Sequence, residues 1–91
     1  MQDATKNSCI HRLDRIEGQV RGLSRMIQEG RYCIDIVTQV SAVRAALRRV
    51  EHEVVRDHIG HCVREAMQRE DARAQDRTIR ELMDVLARLQ S

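Results

Sequence analysis

Apolar residues along this chain fall at spacings of three and four over three separate stretches, the period of helices with one buried face. In the first, Ile10, Leu13, Ile16, Val20, Leu23 and Ile27 recur on one stripe, which predicts a helix from about Ile10 to Glu29. Asn7 or Ser8 can cap its start, and Gly30 supplies a C-terminal stop. The second stretch predicts a much longer helix, from Tyr32 or Cys33 to about Met67, with Ile34, Val37, Val40, Leu47, Val50, Val54 and Val63 among its apolar positions. Only Gly60 interrupts its interior, and a helix tolerates one glycine at a cost of about 1 kcal/mol. The polar residues 69–76 read as a frayed end or short connection. A third helix is then predicted from about Arg77, with Ile79, Leu82, Met83, Leu86 and Leu89 on one side. The pattern predicts an all-α chain of three helices, dominated by the middle one, forming a single domain over residues 1–91.

Composition sharpens this picture. Proline is absent and only four glycines occur, so little punctuates the helices. Phe and Trp are missing and Tyr32 is the only aromatic, which leaves a core of aliphatic residues in a short chain. Such a chain needs a metal, disulfides or partner subunits for stability, and oligomerisation is the expected remedy. Gly18 and Gly22 share a face, which is read as a packing feature. Residues 1–8 carry no apolar run, and no stretch approaches the roughly 18 apolar residues of a membrane span. A cytoplasmic protein without a membrane partner is expected.

The net charge of +2 says little about nucleic acid, but fifteen of the sixteen basic residues are arginine, Lys6 being the exception. Arginine presents a planar fork suited to phosphate and base edges; a GC-rich genome also enriches it.

The three cysteines do not have the spacing of a disulfide-stapled domain, so metal, redox or nucleophilic roles take precedence. His58 and Cys62 stand one turn apart on the long helix and project from one face. Cys33 lies at the other end of that helix, about 37 Å from His58 if the helix is straight. Separations of 25 and 29 residues fall within about 20° of whole turns, so all three side chains share one line. Two such helices packed antiparallel bring Cys33 of one chain beside His58 and Cys62 of the other, giving two identical sites in a symmetric dimer. In that register Arg44 faces Glu51, pairing charges that would be costly against apolar partners. The small residues Ser41, Ala42, Ala45 and Ala46 near the crossing permit close approach. Two thiolates and an imidazole make a soft three-donor set that favours Cu(I), whereas Zn(II) calls for a fourth ligand. The plain alternative makes Cys33 and Cys62 small buried hydrophobes and His58 a surface residue.

Other candidates have weaker chemistry. Cys9 precedes the first predicted helix and reads as an incidental thiol, though a ligand or redox role stays open. His61 points about 100° away from Cys62 and reads as solvated or structural. His11 and His52 have no partner at ligand spacing. A thiol enzyme, with Cys33 as nucleophile and His58 as base, lacks any recognisable oxyanion hole. A purely structural helical module would leave the Cys-His-Cys alignment a coincidence.

The run Arg12-Leu13-Asp14-Arg15-Ile16-Glu17-Gly18-Gln19-Val20-Arg21-Gly22-Leu23 resembles the opening helix of CsoR-type copper-sensing repressors, within the wider CsoR/RcnR family. So do Arg31-Tyr32-Cys33-Ile34-Asp35, Gln39-Val40-Ser41-Ala42-Val43 and His58 through Val63. The resemblance covers roughly residues 10 to 89. It implies a dimer of dimers, a disc-like helical homotetramer without a helix-turn-helix. In that family the apo form holds double-stranded operator DNA, and Cu(I) bound between subunits releases it. The implied ligands are Cys33, His58 and Cys62, with Tyr32 beside them and Glu81 of the last helix as a supporting carboxylate.

Among related sensors, nickel or cobalt binders carry an N-terminal His and a His where Cys62 stands. Formaldehyde sensors use an N-terminal Pro and lack the final Cys, and persulfide sensors keep both Cys but lack the His. The set in this chain favours copper; Cys9 departs from the pattern and keeps a thiol-based inducer open. For DNA, Arg12 and Arg15 flank the first apolar stripe and Arg48 and Arg49 sit midway along the second helix. The resemblance singles out Arg12 and Arg49. Without a reading helix, phosphate contacts and DNA shape would dominate.

Overall fold

The computed structural model describes residues 1–69 and 71–90, with the side chain of Gln90 excepted. It contains three helices, α1 (Asp3–Gln28), α2 (Cys33–Gln68) and α3 (Ala72–Gln90), and no strand among the described residues. The helices pack as two units. An N-terminal unit comprises residues 2–54, and a C-terminal unit comprises residues 55–91 with Met1. The long helix α2 contributes to both.

α1 begins seven residues before the predicted start, at Asp3 rather than Ile10. Its extra turns carry no apolar stripe of the expected register, but they tolerate helix well, and Asp3 complements the dipole in the first turn. At the other end the expected stop is present in full. Gly30 takes a positive φ of 66°, its N–H reaches the Ile27 carbonyl, and the Arg31 N–H reaches that of Met26. This is a Schellman closure, which needs the left-handed residue that glycine supplies. Tyr32 then opens α2, its carbonyl accepting from the Asp35 and Ile36 N–H groups.

α3 also starts earlier than expected, at Ala72 rather than Arg77. Asp71 is its cap: a carboxylate oxygen accepts the Arg73 N–H at 3.0 Å. The Gln75 side chain turns back to donate to the carbonyls of Ala66 and Arg69 at 3.2 and 3.3 Å, satisfying acceptors that the end of α2 leaves open. The polar stretch read as a connection is therefore mostly a helix start, with Asp71 and Gln75 acting as caps.

The expected buried stripe of α1 divides between two faces. Cys9 and Ile16 are buried and Leu23 is half-buried, whereas Ile10, Leu13, Val20 and Ile27 are exposed. On α2, Val43 is buried, while Ile34, Val37, Val40 and Leu47 stand exposed. Only Cys9, Ile16 and Val43 are buried hydrophobics among the described residues, so most of the apolar surface faces water in the single chain. On α3 the half-buried stripe is Ala74, Thr78, Leu82, Val85 and Leu89, and Ile79, Met83 and Leu86 form a second, exposed apolar face. Each helix thus carries more apolar surface than one chain covers. No helix among the described residues is long and apolar enough to cross a membrane.

Candidate metal centre

Within the C-terminal unit, α2 and α3 bring His58, Cys62 and Glu81 together, with one donor atom of each lying within 4.8 Å of the others. His58 and Cys62 meet because a four-residue step on a helix stacks side chains on one face. The Cys62 Sγ lies 3.3 Å from His58 Nε2 and 3.8 Å from Nδ1. Glu81 reaches the same ring from α3, its Oε1 standing 2.8 Å from Nε2. With the ring proton on Nε2 the imidazole donates to Glu81, which leaves the Nδ1 lone pair for a ligand role. The 3.8 Å between Nδ1 and Sγ matches two donors that each sit about 2.0–2.3 Å from a shared ion. The donor set fits a soft or borderline metal on this ground.

Electrostatics keep the thiol protonated. Partial burial first, then the carboxylates of Glu81 and Glu65, push the Cys62 thiol above its ordinary value. A metal must therefore displace a proton from it, which ties affinity to pH. His61 is turned elsewhere, toward Glu65 at 3.5 Å on the exposed surface.

Cys33 and Tyr32 are outside this group. Both belong to the N-terminal unit, exposed, at the start of α2. Of the residues read as ligands, one chain brings together His58 and Cys62, with Glu81 beside them. None of the three cysteines is in a disulfide.

Cys9 proves to be a buried residue of α1, not an incidental thiol ahead of it. Its Sγ donates to Glu53 Oε2 at 3.5 Å, and the Ser8 hydroxyl donates to the same carboxylate at 3.1–3.2 Å. Arg12 joins them: its enclosed Nε stands 3.4 Å from Glu53 Oε1 without hydrogen-bond geometry, so the pairing is electrostatic. Sequence reasoning missed this cluster, although Ser8, Cys9 and Arg12 share the helical spacing of three and four. Of the candidate DNA residues, Arg12 is therefore tied to α2. Arg15, Arg48 and Arg49 are exposed and make no ion pair among the described residues.

Three helices thus carry a Cys-His pair backed by a carboxylate, a donor group able to hold a metal. Residues 5–88 match the metal-sensitive transcriptional repressor family, and the chain belongs to that family. It is similar to the copper-sensing transcriptional repressor CsoR of Bacillus subtilis, 45% identical over 80 residues, which cover 88% of this chain and 76% of that protein. It is also similar to the copper-sensing repressor RicR of Mycobacterium tuberculosis, 52% identical over 62 residues, covering 68% of this chain but only 65% of RicR. Among solved structures, the Cu(I)-bound CsoR of Geobacillus thermodenitrificans superposes with a TM-score of 0.83 at 40% identity, covering 100% of this chain and 92% of that one. The nickel-responsive regulator InrS gives 0.79 at 36% identity, over 91% and 90% of the two chains.

Proposed function

We propose that this protein is a cytoplasmic, copper-responsive repressor that holds operator DNA without metal and lets it go when Cu(I) binds. The observation that carries this reading is the His58–Cys62 pair with its carboxylate partner, on a helix that begins with Cys33. His58 and Cys62 would supply two donors and Cys33 of a partner subunit the third. Two thiolates and an imidazole select Cu(I) over harder ions. When bound, the ion supplies the free energy that separates the DNA-holding and released states. Glu81 fixes the ring of His58 and thereby its tautomer.

Assembly follows from the same surface. α2 is one continuous helix from Cys33 to Gln68, and the 25 residues from Cys33 to His58 advance about 37 Å as straight α-helix, too far for one chain to close the site if α2 is straight. Exposed Val37, Val40 and Leu47 lie on the line that joins them. An antiparallel homodimer through that line, doubled into a homotetramer, covers these residues and completes two metal sites per dimer. In this reading residues 1–91 act as one domain, with Tyr32 beside each site and Arg12, Arg15, Arg48 and Arg49 on the DNA face. Similarity to InrS and the Glu81 carboxylate favour nickel as the second reading.

The decisive experiment mixes two defective chains. Cys33→Ala and Cys62→Ala homodimers each lack a complete site, but a mixed dimer regains one. Anaerobic Cu(I) titration against a strong chelator, on mixed dimers purified through two tags, is expected to restore one tight site per dimer. No recovery would rule out the shared site. Tight Ni(II) binding with weak Cu(I) binding would select the second reading.

A further inference from the structure

We propose that Arg73, Arg77 and Arg80 of α3 form a phosphate-gripping surface for duplex DNA, separate from the arginines of α1 and α2. This rests on the reading of the protein as a DNA-binding repressor. The three residues step by four and three along α3, so they share one face. All are exposed, and together with Asp71 and Asp76 they line one open concavity of about 530 Å³.

Their lack of partners is informative. Carboxylates stand at pairing distance along the helix: Asp76 is three residues from Arg73 and four from Arg80, Glu81 four from Arg77, and Asp84 four from Arg80. Elsewhere this chain makes such a pair, Arg21 with Glu17 at 3.1 Å. Yet none of the three α3 arginines forms an ion pair among the described residues. Two nearby carboxylates are engaged in other ways, Asp71 in capping α3 and Glu81 in holding His58.

The lining sets three guanidinium groups against the two carboxylates of Asp71 and Asp76, a net positive and polar surface that suits an anion better than an apolar ligand. Seven residues of helix spread the three guanidinium groups over about 10 Å. That exceeds one phosphate ion but matches successive phosphates of a strand, which advance about 3.4 Å each along a duplex. α3 also carries Glu81 next to Arg80, so one helix touches both the metal group and this surface.

The test compares full-length, metal-free wild type with a triple Arg73→Gln, Arg77→Gln, Arg80→Gln variant and a triple Arg→Lys variant. Two probes are used: a duplex enriched by wild type from a random pool, and sonicated mixed-sequence DNA. The Gln variant is expected to bind both about tenfold or more weakly, with a salt dependence flattened by about 0.9 for each phosphate no longer neutralised. The Lys variant should retain most of the slope, and Cu(I) stoichiometry and helicity should not change. If the triple Gln variant fails to fold, the three single Gln substitutions are measured, each expected to flatten the slope by a fraction of that total. Unchanged affinity and slope in folded Gln variants would overturn the proposal. So would a weakening confined to the enriched duplex, or tight binding of inorganic phosphate with no change on DNA. Failure of wild type to enrich any duplex would remove the repressor reading itself, and this surface with it.

Discussion

Two clusters in this protein combine the same chemical types, a thiol, a carboxylate and a basic side chain, and they differ in what is left over. Around Glu53, the carboxylate accepts from Ser8 and Cys9 and pairs with Arg12, so each donor finds its charge partner inside the N-terminal unit. Around His58, the ring and thiol are partly exposed, and once Glu81 takes Nε2 the Nδ1 lone pair and the Cys62 sulfur are uncommitted. The first cluster is a clasp between α1 and α2. The second offers donor atoms. Residue types alone do not distinguish a structural cysteine from a ligand; unused lone pairs at the surface do.

The largest expected effect separates the two thiols. Cys62→Ala should weaken Cu(I) binding by well over about a hundredfold, since a supporting residue alone is worth about 10–100-fold. Cys9→Ala should leave Cu(I) affinity intact and instead lower unfolding stability by about 1 kcal/mol. Chelator competition and denaturant titration on the two variants read both numbers. A Cys9→Ala protein with impaired copper binding would erase the distinction.

Glu81→Gln sharpens the comparison from the carboxylate side, with an expected drop of about 10–100-fold in metal affinity. Its pH signature is more specific. In the wild type the raised thiol pKa means that Cu(I) affinity climbs with pH until Cys62 is ionised, then levels. Folding stability runs the opposite way: the unfolded chain loses the thiol proton first, so this contribution falls as pH rises through the folded value. Removing one of the carboxylates that raise it should let Cys62 alkylate at lower pH. Alkylation rates across alkaline pH, followed by mass spectrometry, check this; an unmoved profile would assign the shift to burial and Glu65.

The smallest effect on copper is expected from Glu53→Ala. It removes the carboxylate that accepts from Ser8 and Cys9 and pairs with Arg12, at a cost of about 1–3 kcal/mol in stability. Cu(I) affinity of the folded variant should match wild type. Calorimetric unfolding and chelator competition together test that division.

Much of this architecture was legible in the residues. Spacings of three and four gave three helices, and the one-turn step from His58 to Cys62 predicted that these two side chains meet on one face. Gly30 marked the end of α1 through a backbone requirement that few other residues meet. The helix starts were harder, because Asp71 and Gln75 act as caps through side-chain geometry that a polar run conceals. The faces of α1 were harder still. Its apolar positions divide between a face buried in the chain and an exposed one, and periodicity records that a residue is apolar without saying what covers it. Cys9 fell between these rules: a small thiol on the inward face looks the same in sequence as a reactive one.

Exposed Ile10, Leu13, Val20 and Ile27 on α1, with Val37, Val40 and Leu47 on α2, carry a consequence in terms of mass action. In the proposed assembly, a chain with only three buried hydrophobic residues among those described draws folding free energy from association. Its midpoint of unfolding then rises with protein concentration, and its folded fraction depends on how many copies a cell holds. Synthesis rate, for such a protein, sets stability as well as abundance.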